Sequence, residues 1–251
     1  MAGEAPIYPV LFRIGEFEVT SFGVLVALAA AVGLWLFDRE RQRSGLSDRV
    51  LDAAMAGVIG GLAGAKLIWA VEHAGTQGPF LDLLLSRGGL SWLGGVAGGL
   101  AAGLALLRLR RIPMLPVLAA ATPALALGHA IGRVGCFLVG DDYGLPSDLP
   151  WAVAFPDGLP PTTTPVHPTQ LYEVVALLPL AWVLLGWRRE RRSDRFVFGW
   201  YLVAAGTVRF LIEFLRMRES LVGPLAVAHI LSLVAVLSGV VILAGSRTHQ
   251  E

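Results

Sequence analysis

Apolar residues in this chain come in long uninterrupted runs, separated by short stretches in which charge collects. Seven runs reach the roughly 17–25 residues that a helix needs to cross a bilayer. They lie near 20–37, 52–71, 89–107, 113–132, 171–187, 196–215 and 224–244. Glycine recurs inside them, as in GVIGGLAGAK and GGVAGGLAAGLAL. Soluble helices resist such a glycine load, whereas membrane helices use small residues to pack closely. The pattern predicts an all-α integral membrane protein of seven transmembrane helices, forming a single domain over residues 1–251.

The connecting stretches predict an orientation. DRERQRSGLSDR, RLRR, WRRERRSDR and the tail together hold 13 arginines, whereas the alternate connections hold Arg13, Arg87, Arg133, Arg216 and Arg218. Basic residues concentrate on the cytoplasmic side, so the N-terminus is expected outside and the C-terminus in the cytoplasm. The longest non-spanning segment, near 133–170, then falls on the outer side. Its Pro-rich but aromatic-bearing LPSDLPWAVAFPDGLPPTTTPVHP reads as a functional loop rather than a slack linker.

Composition agrees with the membrane reading. Of 251 residues, 55% are hydrophobic and 16% charged, against about 25% charged in soluble domains; mean hydropathy is +0.66. The net charge of +1 gives no reason to expect a nucleic-acid partner. Cys136 is the lone cysteine, which excludes an internal disulfide and a multi-cysteine zinc site. MAGEAPIYPV lacks the basic and apolar regions of a cleaved signal peptide. No internal repeat is visible, which counts against a secondary transporter.

Charge inside the spans changes the picture more. Lys66 lies in the second span, and Arg209 and Glu213 in the sixth. An ionisable group at such depth is costly unless it is paired or faces water. Arg209 and Glu213 are four apart and can pair along one helix. With the expected orientation, these residues join Arg133 and Arg216 in the outer half of the bilayer, at the level of Phe22, Ser91 and Trp92. Several cations at headgroup depth suit an anionic ligand, and arginine grips phosphate through two parallel hydrogen bonds. His129, four residues before Arg133, falls on the same helix face if that helix continues. GRVGCFLVGDDYG (132–144) places Arg133 and Cys136 among glycines. Gly132 and Gly135 are expected to form turns whose free amides cradle an oxyanion.

Three further motifs accompany that stretch: GGLSWLGG (88–95), VHPTQLYE (166–173) and VRFLIEFLR (208–216). In this order and topological frame they resemble the bacterial prolipoprotein diacylglyceryl transferase family, along nearly the whole chain. The resemblance implies a multi-pass enzyme of the bacterial inner membrane that uses neither cofactor nor metal. Such an enzyme moves the diacylglyceryl group of phosphatidylglycerol to the lipobox cysteine thiol of a preprolipoprotein, recognised by its signal peptide, and releases glycerol phosphate. It implies essential arginines at Arg133 and Arg209, with Glu213 and Arg216 as companions. Substrate-binding positions fall on Lys66, Gly135, Cys136, Asp141, Gly144, His167, Gln170 and Tyr172, and Glu173 closes the HPTQLYE block.

Three positions depart from the family pattern. Cys136 replaces an asparagine, Phe22 a tyrosine, and Leu93 a histidine proposed as the base for the attacking thiol. Leucine cannot accept a proton, so another base is expected, with His129 a candidate beside Arg133 and Glu213. The same departures motivate the alternative of a divergent paralogue that acts on another lipid or acceptor, or binds phospholipid without turnover.

Overall fold

The computed structural model describes residues 3–4, 8–15, 17–86, 89–216 and 226–245. Helices dominate: α1 Ser21–Arg43, α2 Arg49–His73, the short α3 Phe80–Leu85, α4 Trp92–Leu109, α5 Met114–Val139, α6 Thr169–Arg189, α7 Asp194–Glu213 and α8 Val227–Ala244. All but α3 are long and apolar enough to cross a membrane, so seven candidate spans stand among the described residues, as the apolar runs predicted. Five short strands complete the order: β1 Gly3–Glu4, β2 Val10–Ile14, β3 Phe17–Thr20, β4 Val153–Phe155 and β5 Thr162–Val166. β2 and β3 form a hairpin. β4 pairs antiparallel with β5 and parallel with β1.

Two helices outrun the sequence expectation, for different reasons. α1 continues to Arg43 because DRERQR closes ion pairs along the helix, Arg41–Asp38 at 2.7 Å and Arg43–Glu40 at 2.6 Å. α5 continues through GRVGCFLV to Val139, which corrects the expected boundary near 132. It stops where Gly140 takes φ +67°, a conformation that favours glycine. There Gly140 N–H bonds the Phe137 carbonyl and Asp141 N–H reaches back to that of Cys136, both at 3.1 Å.

The described chain divides into two compact units, Met1–Phe37 with Ala119–Glu251, and Asp38–Leu118. The second is built on α2 against α4, glycine facing glycine. A Cβ added at Gly60 would stand 2.5 Å from that of Ala102, and one at Gly64 would meet the Gly94 carbonyl. One added at Gly98 would meet the Gly60 carbonyl. In lipid, such close backbone packing replaces the missing hydrophobic drive between helices. In the first unit, α5 uses the same device against α1. Gly128 faces the Ala29 carbonyl, and a Cβ at Gly135 would stand 3.3 Å from the Phe22 ring. Between α5 and α6, residues 140–168 form a folded segment around Tyr143, Phe155 and Val166, with Tyr143 stacked on Phe155 at 5.3 Å.

The glycine seam gives a direct test. Gly98→Val is expected to cost about 1–3 kcal/mol by overpacking α2 against α4, read as a lower thermal midpoint in detergent. Gly186→Ala in α6, where nothing lies within 4 Å of an added Cβ, is expected to hold or raise the midpoint. Equal behaviour of the two variants would refute the seam.

Candidate active site

Two helices of the first unit, α5 and α7, converge on a single carboxylate carried by a third, α6. Glu173 sits in the first turns of α6, with its side chain 1% exposed. Arg133 of α5 grips it with a two-pronged fork, Nε to Oε2 at 2.5 Å and Nη2 to Oε1 at 2.7 Å. Arg209 of α7 donates to Oε1 at 2.8 Å. His129 Nε2 lies 3.2 Å from Oε2. His129 and Arg133 reach the same oxygen because they are one helical turn apart on one face of α5, as their spacing predicted.

The network extends toward the loop after α5. Arg209 also pairs with Glu213 at 2.9 Å along α7. Arg216, just beyond that helix, lies 3.7 Å from Glu213 and forms a close ion pair with Asp142. Asp142 in turn accepts from Arg133 Nη1 at 2.8 Å. Three guanidiniums therefore meet three carboxylates, all largely buried except Asp142. The Arg209–Glu213 pair follows from their spacing along one helix, and the structure adds a counter-ion for Arg133 and Arg216 as well, since an unpaired charge is too costly at such burial. Arg133 Nη1 also lies 3.6 Å from Cys136 Sγ, inside the cluster that this thiol makes with Asp141 and Asp142.

Backbone contacts hold the loop in place. Gln170, fully buried, donates through its amide to the Asp141 carbonyl, and Thr169 Oγ1 donates to that of Asp142 at 2.8 Å. Gly144 N–H bonds the His167 carbonyl at 2.8 Å, and Leu145 N–H that of Leu215 at 2.7 Å. A Cβ at Gly144 would run into His167 and Thr169, so glycine permits the approach that ties the loop to both α6 and the end of α7.

Burial, then the neighbouring Asp142 charge, pushes the Asp141 carboxyl up from 3.8 to about 6. Burial acts on Asp142 in the same sense, but the Arg216 and Arg133 charges outweigh it and hold that group below its usual range.

Several expected site residues lie outside the arginine network. Gly132 and Gly135 lie inside α5, so their amides serve the helix rather than an anion cradle, and Gly135 faces Phe22 and Leu25. His167 Nδ1 lies 3.1 Å from the Tyr172 hydroxyl, which accepts from Trp151 Nε1 at 2.8 Å; these three form a set beside the arginine network. Lys66 belongs to the other unit, where Nζ donates to Ser86 Oγ at 2.9 Å and lies 4.6 Å from the Trp69 ring. Leu93 stands in the first turn of α4 in that unit.

The hub is Glu173, where Arg133, Arg209 and His129 meet. Glu173 was visible as an acidic residue inside the apolar run LYEVVALLPLAW, the same signal that singled out Glu213. Asp142 offered none, because its role depends on which side chain a loop turns inward.

The raised Asp141 carboxyl makes stability depend on pH. The folded chain holds this proton more tightly than the unfolded chain, so the stability it contributes is complete below about pH 4 and lost as pH rises through about 6. Asp141→Asn is expected to remove that decline and raise the thermal midpoint at neutral pH, measured by unfolding in detergent across this range. A profile unaltered by the substitution would contradict it.

Comparison with known proteins agrees with the resemblance in the motifs. Residues 9–245 match the family model described as prolipoprotein diacylglyceryl transferase. A phosphatidylglycerol–prolipoprotein diacylglyceryl transferase of Geobacter sulfurreducens is 32% identical over 239 residues, covering 90% of each chain. That of Thermosynechococcus vestitus is 32% identical over 238 residues, covering 90% of this chain and 88% of the relative. That of Clostridium tetani is 30% identical over 211 residues, covering 83% and 85%. With a match along almost its full length, this chain belongs to the prolipoprotein diacylglyceryl transferase family.

Proposed function

We propose that this protein transfers the diacylglyceryl group of phosphatidylglycerol to the lipobox cysteine of preprolipoproteins, in the bacterial inner membrane, with its N-terminus outside. The observation that carries this reading is the buried network in which Glu173 holds Arg133 and Arg209 within one hydrogen-bonded unit, in a chain of this family.

The reaction is a displacement. The acceptor sulfur attacks the glycerol carbon that bears the phosphate, the carbon–oxygen bond breaks, and its electron pair leaves on the phosphate oxygen as glycerol phosphate. Charge grows on the phosphate in the transition state, where fixed cationic donors act most strongly. Arg133, Arg209 and Arg216 supply them, already oriented by Glu173, Glu213 and Asp142, so little reorganisation accompanies the reaction. Gln170, Asp141 and Gly144 hold the loop that lies against these arginines. Cys136, His167 and Tyr172 complete the proposed substrate contacts.

The thiol proton needs an acceptor, and Leu93 offers none. His129 takes that role in this reading. A neutral imidazole that donates through Nε2 to Glu173, 3.2 Å away, presents a lone pair on Nδ1. A base oriented by a buried carboxylate follows the same logic as other activated nucleophiles.

Purified protein, phosphatidylglycerol and a lipobox peptide, followed by mass spectrometry, test the function directly. Addition of a diacylglyceryl group to the cysteine is expected, and its absence overturns the reading. Arg133→Gln and Arg209→Gln are each expected to lower turnover by more than about 10²-fold, the effect of losing one charge-stabilising donor. Normal turnover in both would remove the arginines from the chemistry. His129→Ala is expected to lower kcat by about 10²–10⁴-fold, with partial recovery in imidazole buffer. An unchanged kcat would dismiss His129 as the base.

A further inference from the structure

Asp142 is the exception in a network that otherwise hides its charges. Its side chain is 46% exposed, against 8% for Arg133 and 10% for Arg216. Each of its two carboxylate oxygens faces a different guanidinium, Oδ2 toward Arg133 Nη1 at 2.8 Å and Oδ1 toward Arg216 Nη2. That is how two oxygens of a phosphate group bridge a pair of arginines. Asp142 also has φ +59°, a left-handed conformation that a short polar side chain such as aspartate tolerates better than most.

From this arrangement we propose that Asp142 holds the place of the lipid phosphate, and that the phosphatidylglycerol headgroup enters by displacing its carboxylate from Arg133 and Arg216. The inference rests on the proposed headgroup role of these arginines. It adds that the chain carries its own competing anion, which sets the affinity of the site for phosphate.

Three features make the exchange feasible. The backbone at Asp142 is held by Thr169 Oγ1 on its own carbonyl, by Gln170 on the preceding carbonyl and by the Gly144–His167 bond beyond. Release therefore needs only a rotation of the Asp142 side chain, with the loop left in place. Both arginines also keep other carboxylates, Arg133 through its fork on Glu173 and Arg216 toward Glu213 at 3.7 Å. Neither loses its orientation when Asp142 leaves. Finally, one anion replaces another, so the buried network is never left with an uncompensated cation.

The exchange also gives specificity. A ligand without a phosphate, such as diacylglycerol, offers nothing to the arginines in place of Asp142 and leaves the carboxylate where it is. A phosphate-bearing lipid supplies the replacement and gains entry.

Binding of phosphatidylglycerol, diacylglycerol and inorganic phosphate to the wild-type chain and to Asp142→Asn, each in nanodiscs, tests the proposal by native mass spectrometry. Asp142→Asn is expected to bind phosphatidylglycerol about tenfold more tightly, because entry no longer forfeits a charge-assisted hydrogen bond. Diacylglycerol binding is expected to stay the same. In the transfer assay KM for phosphatidylglycerol falls in step. Asp142→Ser, which keeps a small polar side chain without charge, is expected to act in the same direction and guards against a folding defect in the first variant. Equal or weaker phosphatidylglycerol binding in both variants overturns the proposal and makes Asp142 a support for the arginines. Tightening for inorganic phosphate alone overturns the lipid assignment. A wild-type chain that binds phosphatidylglycerol but transfers nothing refutes the transferase reading, while the binding comparison still decides the role of Asp142.

Discussion

One carboxylate, buried in an apolar helix between two guanidiniums, organises this protein. A charge as deep as that of Glu173 costs several kcal/mol unless its partners are fixed in good geometry. Those partners come from α5 and α7, so α6 can hold its glutamate only when both neighbours are in register. The fork from Arg133 and the single bond from Arg209 satisfy both oxygens, and the ion pairs beyond them inherit that arrangement. Removing Glu173 would leave two buried cations facing each other.

The loop after α5 depends on the same junction. Its residues 141–145 are held by Gln170, Thr169 and His167 near the start of α6 and by Leu215 after α7. Through these bonds the segment that carries Asp141 and Asp142 is fixed by the helices that carry the charges it meets. Glycine works at the same task from two directions. Gly140 turns the chain out of α5, and Gly144 lets it pass between His167 and Leu215. Elsewhere the glycines of α2, α4 and α5 spend their small size on helix contact.

Pairing changes how the arginines act. Cations held by carboxylates form a preorganised set of donors with little net charge, unlike a basic patch that attracts any anion. In the proposed exchange, selectivity comes from what must be displaced as well as from what is offered, which is how binding sites discriminate through competing interactions.

Much of this was legible without coordinates. Apolar runs define the seven helices because the period and length of a membrane span are local properties of the chain. The i, i+4 spacings of His129 with Arg133 and of Arg209 with Glu213 predicted shared faces, and those pairs do meet a common partner or each other. The motifs VHPTQLYE and VRFLIEFLR lie at the start of α6 and the end of α7, which carry Glu173 and Arg209 of the network. Tertiary structure alone decided that Glu173 is the hub, that Asp142 rather than Asp141 turns toward the arginines, and that Gly135 serves α1 instead of an anion. Sequence spacing reports which residues share a face of one helix, whereas a buried ion pair between helices depends on their rotation and register. Those are set by packing across the whole unit, through contacts far apart in the chain.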